Sequence, residues 1–208
     1  MSSINLTINN KSVSVPKGST ILDAAKKLNI KIPTLCHLHM DEINVVNQCA
    51  SCRVCMVTAG RSLVPACGTL AKEGMNVQTN TKEAISARKR VVELLLSDHP
   101  QDCLVCEKNG NCELQSIAAD LGVRNIRFKG EQSTAPLDNS TKSIVKNHDK
   151  CILCRRCETM CNDIQTVGVL SGVNRGFETK VGTFFNSKLC DTECTFCGQC
   201  ISVCPTGA

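Results

Sequence analysis

Alternating apolar and polar residues open the chain. Apolar side chains take every second position on both sides of a short polar stretch, Asn9 to Lys11. A period of two indicates β-strands, and asparagines between two such runs favour a tight turn. The segment "INLTINNKSVSV" therefore predicts a β-hairpin, whose inward positions are Ile4, Leu6, Ile8, Val13 and Val15.

A short amphipathic helix is predicted next, in "GSTILDAAKKLNI". Ser19 or Thr20 can cap its amino end, and Pro33 blocks any extension. Its apolar face consists of Ile21, Ala24, Ala25 and Leu28. Further strands are predicted in "RVCMVTA" and "MNVQTN". Together these elements predict a small mixed α+β domain that holds a long cysteine-containing loop.

The helical period returns in "KEAISARKRVVELLLSD". Asn80, with Glu83 three residues later, predicts a capping box at its start. The expected apolar face is Ala84, Ala87, Val91, Leu94 and Leu95. A second short helix is predicted in "CELQSIAADLG", ended by Gly122. The polar stretch "KGEQSTAPLDNSTKS" has no periodicity and predicts a linker.

A repeat follows the linker. The spacing C-x2-C-x2-C-x3-C occurs twice, first at Cys151, Cys154, Cys157 and Cys161, then 43 residues later at Cys194, Cys197, Cys200 and Cys204. Between the two copies, "VGVLSGVNRGFETKVGTFF" predicts a strand, an Asn-Arg-Gly turn and a second strand.

The composition is unusual in its high cysteine content. The chain has 17 cysteines in 208 residues, an odd number that cannot pair completely. No secretory signal and no long apolar run is evident, which favours a cytoplasmic protein without membrane insertion, where metal ligation is expected rather than disulfides. The formal charge of +5 counts cysteines as neutral, and Trp and Tyr are absent, so nucleic-acid binding is not expected.

The repeat carries the most specific chemistry. A C-x2-C-x2-C-x3-C run followed by proline, here Cys204-Pro205, is the bacterial ferredoxin pattern, in which the fourth cysteine of each run binds the other cluster. This rule predicts two [4Fe-4S] clusters. Their ligands are Cys151, Cys154, Cys157 and Cys204 for one, and Cys194, Cys197, Cys200 and Cys161 for the other. Zinc is the alternative, although structural zinc sites usually join two separated C-x2-C pairs.

Two further sites are less certain from spacing alone. Cys52 and Cys55 form a close pair, with Cys36 before and Cys67 after, which partly matches a plant-type [2Fe-2S] arrangement. Cys49 is a rival ligand, and we prefer Cys52.

In "HPQDCLVCEKNGNC", three cysteines (Cys103, Cys106 and Cys112) leave a four-iron cluster one ligand short, and His99 could complete it. A lone histidine is usually not a ligand. His37, His39 and His148 are expected to be solvated or to lie outside the ligand sets. Cys49 and Cys190 are left over.

The whole chain resembles the amino-terminal iron-sulfur region of [FeFe]-hydrogenase catalytic chains. Similar regions occur in the large iron-sulfur subunit of complex I, in the diaphorase subunit of NAD-reducing hydrogenases and in NAD-linked formate dehydrogenases. The stretches that carry the resemblance are "IPTLCHL", "SCRVCMV", "LLLSDHPQDCLVCEKNGNCELQ", "CILCRRCETMC" and "CTFCGQCISVCPTGA".

The resemblance implies an α+β chain of three parts. These are a β-grasp [2Fe-2S] ferredoxin domain at 1–79, a helical [4Fe-4S] segment at 80–125 with one histidine and three cysteine ligands, and, after a linker at 126–143, a two-cluster ferredoxin-like domain at 144–208. It also implies ligand roles for Cys36 and His99. The expected cofactors are one [2Fe-2S] and three [4Fe-4S] clusters.

The resemblance also implies a role. We expect an electron-transfer subunit that relays electrons between a flavin-containing, NAD(P)H-binding iron-sulfur subunit and another redox partner, such as a hydrogenase, a ferredoxin or a second flavoprotein. No hydrogen-cluster motif follows the last cysteine, and no nucleotide-binding glycine motif is present, so no catalytic residue is predicted. The alternatives are the amino-terminal part of a longer [FeFe]-hydrogenase chain and, in a different class, a zinc-binding assembly module.

Overall fold

The computed structural model describes residues 3–40, 43, 45–47 and 50–208. The first part of the chain contains seven strands and one helix, in the order β1 (Ser3–Ile8), β2 (Lys11–Pro16), α1 (Ile21–Lys27), β3 (His39–Met40), β4 (Val45–Val46), β5 (Met56–Ala59), β6 (Ser62–Pro65) and β7 (Asn76–Gln78). Five strands form one sheet in the order β2-β1-β7-β5-β6, while β3 and β4 form a separate pair.

The predicted hairpin is present. Strands β1 and β2 pair antiparallel from Ser3 opposite Pro16 to Ile8 opposite Lys11. Asn9 and Asn10 both have positive φ angles, 49° and 66°, as a two-residue turn of the type I′ class requires. Strand β7 then pairs parallel to β1, which makes the sheet mixed. Strand β6 was not predicted.

Helix α1 lies against this sheet. Thr20 caps it through a hydrogen bond from the Asp23 backbone N–H to the Thr20 hydroxyl, and the Asp23 carboxylate accepts from the Thr20 backbone N–H in return. Of the two predicted caps, Thr20 is therefore the one used. Ile21, Ala24 and Ala25 join the strand residues in one buried core. The sheet and α1 thus hold the loop that carries the first cysteines.

Helix α2 (Lys82–Ser97) corrects two predictions. Its cap is Thr81, whose hydroxyl accepts from the Ala84 backbone N–H, and not Asn80. Its buried residues are Ala84, Arg88, Val92 and Glu93, whereas Leu94 is half exposed. The buried face of the helix is thus rotated relative to the predicted apolar face, because Arg88 and Glu93 are buried and form hydrogen bonds with residues distant in the sequence. Arg88 Nε donates to the Met56 carbonyl over 2.8 Å.

The segment 99–125 follows α2 and contains helix α3 (Glu113–Asp120). Gly122, with a φ of +64°, lies just beyond its end, as predicted. No helix in the described ranges is long and apolar enough to cross a bilayer.

The predicted linker is held in place by hydrogen bonds at several points. Arg127 forms an ion pair with Glu93 of α2 at 2.7 Å, and its hydrogen bonds lower the pKa of Glu93 to about 2. The Ser133 backbone N–H donates to the Asp98 carboxylate over 2.6 Å. Asp138 and Lys146 pair through their backbones. The segment is irregular but tied to its neighbours.

The last part of the chain repeats its own conformation. Helices α4 (Arg156–Thr159) and α5 (Gln199–Ser202) start 43 residues apart, each after a residue with a left-handed backbone, Arg155 and Gly198. Between them, strands β8 (Ser171–Val173) and β9 (Lys180–Gly182) form the predicted hairpin. The sequence repeat is thus a structural repeat.

Candidate functional site: four cysteine-rich centres

The first centre comprises Cys36, Cys52, Cys55 and Cys67, in the loops above the five-stranded sheet. Cys36 and Cys55 are almost fully buried, and the Cys55 and Cys67 sulfurs are 3.4 Å apart. Hydrogen bonds from the Cys52 and Cys67 thiols lower the pKa of Cys36, and the same bonds raise the pKa of Cys52 and of Cys67. All four predicted ligands are therefore close together.

Asn47 supports this loop, and sequence analysis did not identify it. Its side-chain amide donates to the Cys36 carbonyl over 2.6 Å, and its side-chain oxygen accepts from the Leu38 backbone N–H over 2.6 Å. The residue is buried. No spacing rule marks such an asparagine, because its role depends on where the loop folds back. Cys49, the rival ligand, lies outside the described residues.

We call the predicted ligands His99, Cys103, Cys106 and Cys112 the histidine centre. His99 lies just after α2, Cys103 begins a single 3-10 turn, and Cys112 caps α3. Burial lowers the pKa of His99, so its imidazole is neutral, as a metal ligand must be. Its Nδ1 atom is buried and has no hydrogen-bond partner among the described residues. An unpaired buried nitrogen is available to a metal. His148 Nδ1 is likewise buried and unpaired, so the position of His99 ahead of the three cysteines, and not this feature alone, singles it out.

The inner centre comprises Cys151, Cys154, Cys157 and Cys204. Burial raises the pKa of Cys157, and the nearby thiols of Cys154, Cys151 and Cys204 raise it further. Burial likewise raises the pKa of Cys154 to about 12, with added contributions from Cys204 and Cys151. The three closely spaced cysteines of the first run are thus grouped with the last cysteine of the second run.

The outer centre comprises Cys194, Cys197, Cys200 and Cys161. Burial raises the pKa of Cys200, followed by the effects of Cys194 and Cys197 and, more weakly, of Cys161. This is the crossed grouping that the ferredoxin pattern predicts. Cys197 and Phe196 are exposed, whereas Cys154 of the inner centre is buried. The outer centre is therefore the more accessible of the two.

The conformation of the cysteine loops aims backbone N–H groups at sulfur. The Leu153 backbone N–H donates to Cys151 Sγ and the Phe196 N–H to Cys194 Sγ, both over 3.4 Å. Both donors have positive φ angles near 54°. In the first centre, the Val54 N–H donates to Cys52 Sγ over 3.5 Å. Such donors stabilise negative charge on a cysteine sulfur.

The donor chemistry fits iron-sulfur clusters. One cavity is bordered by all eight cysteines of the inner and outer centres, and all sixteen described cysteines are free thiols. Among the residues described, no three or more His, Cys, Asp or Glu side chains are placed to chelate a single metal ion. A buried thiol with a raised pKa is neutral by itself, and it becomes a thiolate only beside a cation such as cluster iron.

Packing connects the centres. One buried cluster contains Cys36 and Cys52, Val92 of α2, Leu114 of α3 and Cys154. Cys52 and Cys151 also border the same cleft, of about 260 Å³. Cys112 of the histidine centre packs against the same buried cluster, and Lys150 Nζ lies 3.6 Å from Cys106 Sγ. The inner centre therefore lies next to both the first centre and the histidine centre.

Glu113 and Arg156 form a further link that sequence analysis missed. Arg156 donates to both oxygens of Glu113, over 2.7 and 3.0 Å, and the Glu113 backbone N–H donates to the Pro205 carbonyl. Arg156 is buried. Glu113 directly follows Cys112, and Arg156 lies between Cys154 and Cys157. Their pairing joins residues 43 positions apart, so no local sequence pattern predicts it.

The remaining residues singled out from sequence lie outside these groups. Cys190 is exposed and donates to the Asp191 carboxylate. His148 is half-buried, with a buried Nδ1 atom, and burial lowers its pKa to about 4. Of the two alternatives expected for it, solvated or outside the ligand sets, the first does not apply.

Comparison with known proteins identifies these features. Three family models match in succession: a 2Fe-2S iron-sulfur cluster binding domain at residues 1–82, the iron-sulfur binding region of NADH-ubiquinone oxidoreductase-G at 88–127, and the ferredoxin-like domain of NADH-quinone oxidoreductase subunit 3 at 141–208. The chain is 53% identical to the NADP-reducing hydrogenase subunit HndD of Solidesulfovibrio fructosivorans, over all of this chain and 36% of that one. Along its whole length the chain is thus similar to iron-sulfur regions of NAD(P)H-linked oxidoreductases.

Two further comparisons show the same similarity. The chain is 38% identical to an NADH-quinone oxidoreductase subunit of Rhizobium meliloti, over 99% of this chain and 24% of that one. A crystal structure of an NAD⁺-reducing [NiFe]-hydrogenase superposes with a TM-score of 0.88 at 26% identity, covering 100% of this chain and 86% of that one. The chain spans about a third or less of the curated relatives it matches. It combines a [2Fe-2S] ferredoxin-like domain with [4Fe-4S] segments in a mixed α+β fold.

Proposed function

We propose that this chain is a four-cluster electron relay. The first centre would hold one [2Fe-2S] cluster, and the histidine, inner and outer centres one [4Fe-4S] cluster each. When bound, such clusters accept and pass on single electrons. The observation that carries the proposal is the position of the inner centre, which packs against the first centre and the histidine centre and shares a cavity with the outer centre.

This arrangement supports two routes that meet at the inner centre. Cys52 and Cys151 lie on the same cleft, while Cys106 is connected to the residue before Cys151 by a side-chain hydrogen bond. Electron tunnelling slows steeply with distance, so cysteine loops that pack together favour transfer between their clusters. Electrons arriving at either centre would continue through the inner centre to the exposed outer centre.

The proposed partners follow from the relatives. One relative is a subunit of an NADP-reducing hydrogenase, and another is a subunit of an NADH-quinone oxidoreductase. We propose that a flavin-containing, NAD(P)H-binding iron-sulfur subunit and a further redox subunit, or a ferredoxin, exchange electrons with this chain in the cytoplasm.

Reduction by NAD(P)H tests the relay. Under anaerobic conditions, NAD(P)H alone should leave the clusters of the isolated holoprotein oxidised, because the sequence has no nucleotide-binding motif. The native complex, purified with its flavin subunit, should show cluster reduction by electron paramagnetic resonance (EPR). Direct reduction of the isolated chain by NAD(P)H, or no reduction in the flavin-containing complex, would contradict the proposal.

A second candidate is that these residues are the amino-terminal part of a longer hydrogenase chain. The 53% identity to a hydrogenase subunit over only 36% of that subunit favours it. The intact mass of the protein from its native source decides the matter. A mass well above that of 208 residues plus clusters supports the longer chain.

A further inference from the structure

Lys150 lies between two of the proposed clusters. It directly precedes Cys151 of the inner centre in the sequence. Its backbone carbonyl accepts a hydrogen bond from the Thr206 hydroxyl over 2.8 Å. Thr206 in turn lies two residues after Cys204 and close to its sulfur. The Lys150 backbone is therefore held between Cys151, which follows it, and the segment after Cys204.

The side chain of Lys150 points to the other cluster. Its Nζ atom donates to Cys106 Sγ of the histidine centre over 3.6 Å. The same charge acts on His99: burial is the main cause of the lowered pKa of His99, Asp102 and Asp98 oppose it, and Lys150 adds to it. One ammonium group thus hydrogen-bonds to one proposed ligand of this cluster and acts through its charge on a second.

Gly207 packs against the same contact. A Cβ atom at this position would lie 3.2 Å from both Cys106 Sγ and Lys108 Cβ, tighter than ordinary van der Waals contact, and 3.7 Å from Lys150 Cδ, which is ordinary contact. The glycine therefore lets the Cys106 loop pack closely beside the Lys150 side chain.

The histidine centre differs from the other three in its donor. At Cys52, Cys151 and Cys194 the hydrogen bond to sulfur comes from a backbone N–H. At Cys106 it comes from a charged side chain. A full positive charge acts on a cluster more strongly than an amide dipole does, and a side-chain donor, unlike a backbone N–H, can be removed by substitution.

We propose that Lys150 raises the reduction potential of the cluster in the histidine centre through its hydrogen bond to Cys106. Reduction adds one electron to the cluster, and a nearby cation stabilises the added negative charge. The effect adds to that of His99, which replaces a negatively charged thiolate with a neutral ligand. This inference rests on the proposed function, because it requires a cluster bound by His99 and the three cysteines.

Redox titration followed by EPR tests the inference on the holoprotein. The centre of interest is first identified as the signal whose midpoint potential moves in His99→Cys. In Lys150→Met that midpoint should fall, because the charge and the donor are both lost, while the other three stay in place. Lys150→Gln keeps a neutral donor and should give a smaller fall. Lys150→Arg keeps the charge and should stay close to wild type.

Lys142→Met is the matched control. It removes the same charge from an exposed lysine and should leave all four potentials unchanged. Unchanged potentials in Lys150→Met, or a shift confined to the inner centre, would overturn the inference. If the Met variant does not assemble the cluster, equal potentials in the Gln and Arg variants overturn it, as does loss of the cluster from all three. If no signal responds to His99→Cys, the proposed ligand set itself is wrong, whatever Lys150 does.

Discussion

At the scale of single residues, the cysteines divide into grouped and isolated thiols. Cys52 hydrogen-bonds to Cys36 within the first centre, whereas Cys190 is exposed and contacts the neighbouring Asp191 and Ser140. Sequence spacing already suggested this division. The isolated thiol should be dispensable for cluster binding.

Serine substitutions test this division. Cys52→Ser should lose the [2Fe-2S] signal and about two irons per chain, while Cys190→Ser should retain the full iron content and every EPR signal. Iron analysis of anaerobically purified protein checks both. Loss of iron from Cys190→Ser would show that an exposed thiol takes part in ligation.

The ion pair of Glu113 with Arg156 gives a second residue-scale prediction. Glu113→Gln leaves the buried guanidinium of Arg156 without its carboxylate. The loss should destabilise the holoprotein by about 2 kcal/mol and lower the midpoint of anaerobic thermal unfolding, followed by circular dichroism. The matched control is Glu131→Gln, on an exposed residue, which should change stability by less than about 0.5 kcal/mol. An equal change in stability in the Glu113→Gln and Glu131→Gln variants would mean that the ion pair does not stabilise the fold.

At the scale of elements, local rules predicted what local contacts decide. The β1–β2 hairpin with its two asparagines, the start of α1 after Thr20, and the end of α3 before Gly122 all depend on neighbouring residues. The buried face of α2 could not be predicted, because Arg88 and Glu93 are buried through Met56 and Arg127, 32 and 34 residues away.

The same distinction applies to the candidate site. The spacing within each cysteine run marks the proposed ligands, and the ferredoxin pattern predicts that the two runs exchange their fourth cysteine. Asn47 and Lys150 carry no comparable signal, because they act on residues that only the tertiary fold brings near them.

The packing of α3 yields a prediction at this scale. Leu114 is 1% exposed and belongs to the buried cluster that connects the centres. Leu114→Ala should destabilise the holoprotein by about 2–5 kcal/mol and accelerate loss of iron to a chelator. Leu104→Ala changes the same side chain at a site that is 91% exposed, and its unfolding and iron release should match the wild type. Similar iron release from both variants would contradict the connecting role of this cluster.

At the scale of the whole molecule, the two ends of the chain are stabilised differently. The sheet and α1 enclose a core of many apolar side chains. Among the described residues, the apolar cluster within the repeat has three buried members, Ile144, Val169 and Leu189, with Cys161 and Cys194 packed against it, and Met160, Leu170 and Val181 are buried outside it. So small a core, with helices of four residues, should depend on its clusters for folding.

Removal of iron should therefore unfold the molecule unevenly. After anaerobic chelation, amides in residues 148–208 should lose protection in hydrogen exchange, while those of β1 and β2 stay protected. Mass spectrometry of the peptides measures both. Simultaneous loss of protection in both regions would mean that the chain unfolds as a single unit.

The central claim is that four iron-sulfur clusters occupy the four centres. Iron and acid-labile sulfide, measured per chain in anaerobically purified holoprotein, test it most directly. The account predicts about fourteen of each, from one [2Fe-2S] and three [4Fe-4S] clusters. A value that saturates at about ten of each would remove one [4Fe-4S] centre, and zinc without sulfide would contradict the account altogether.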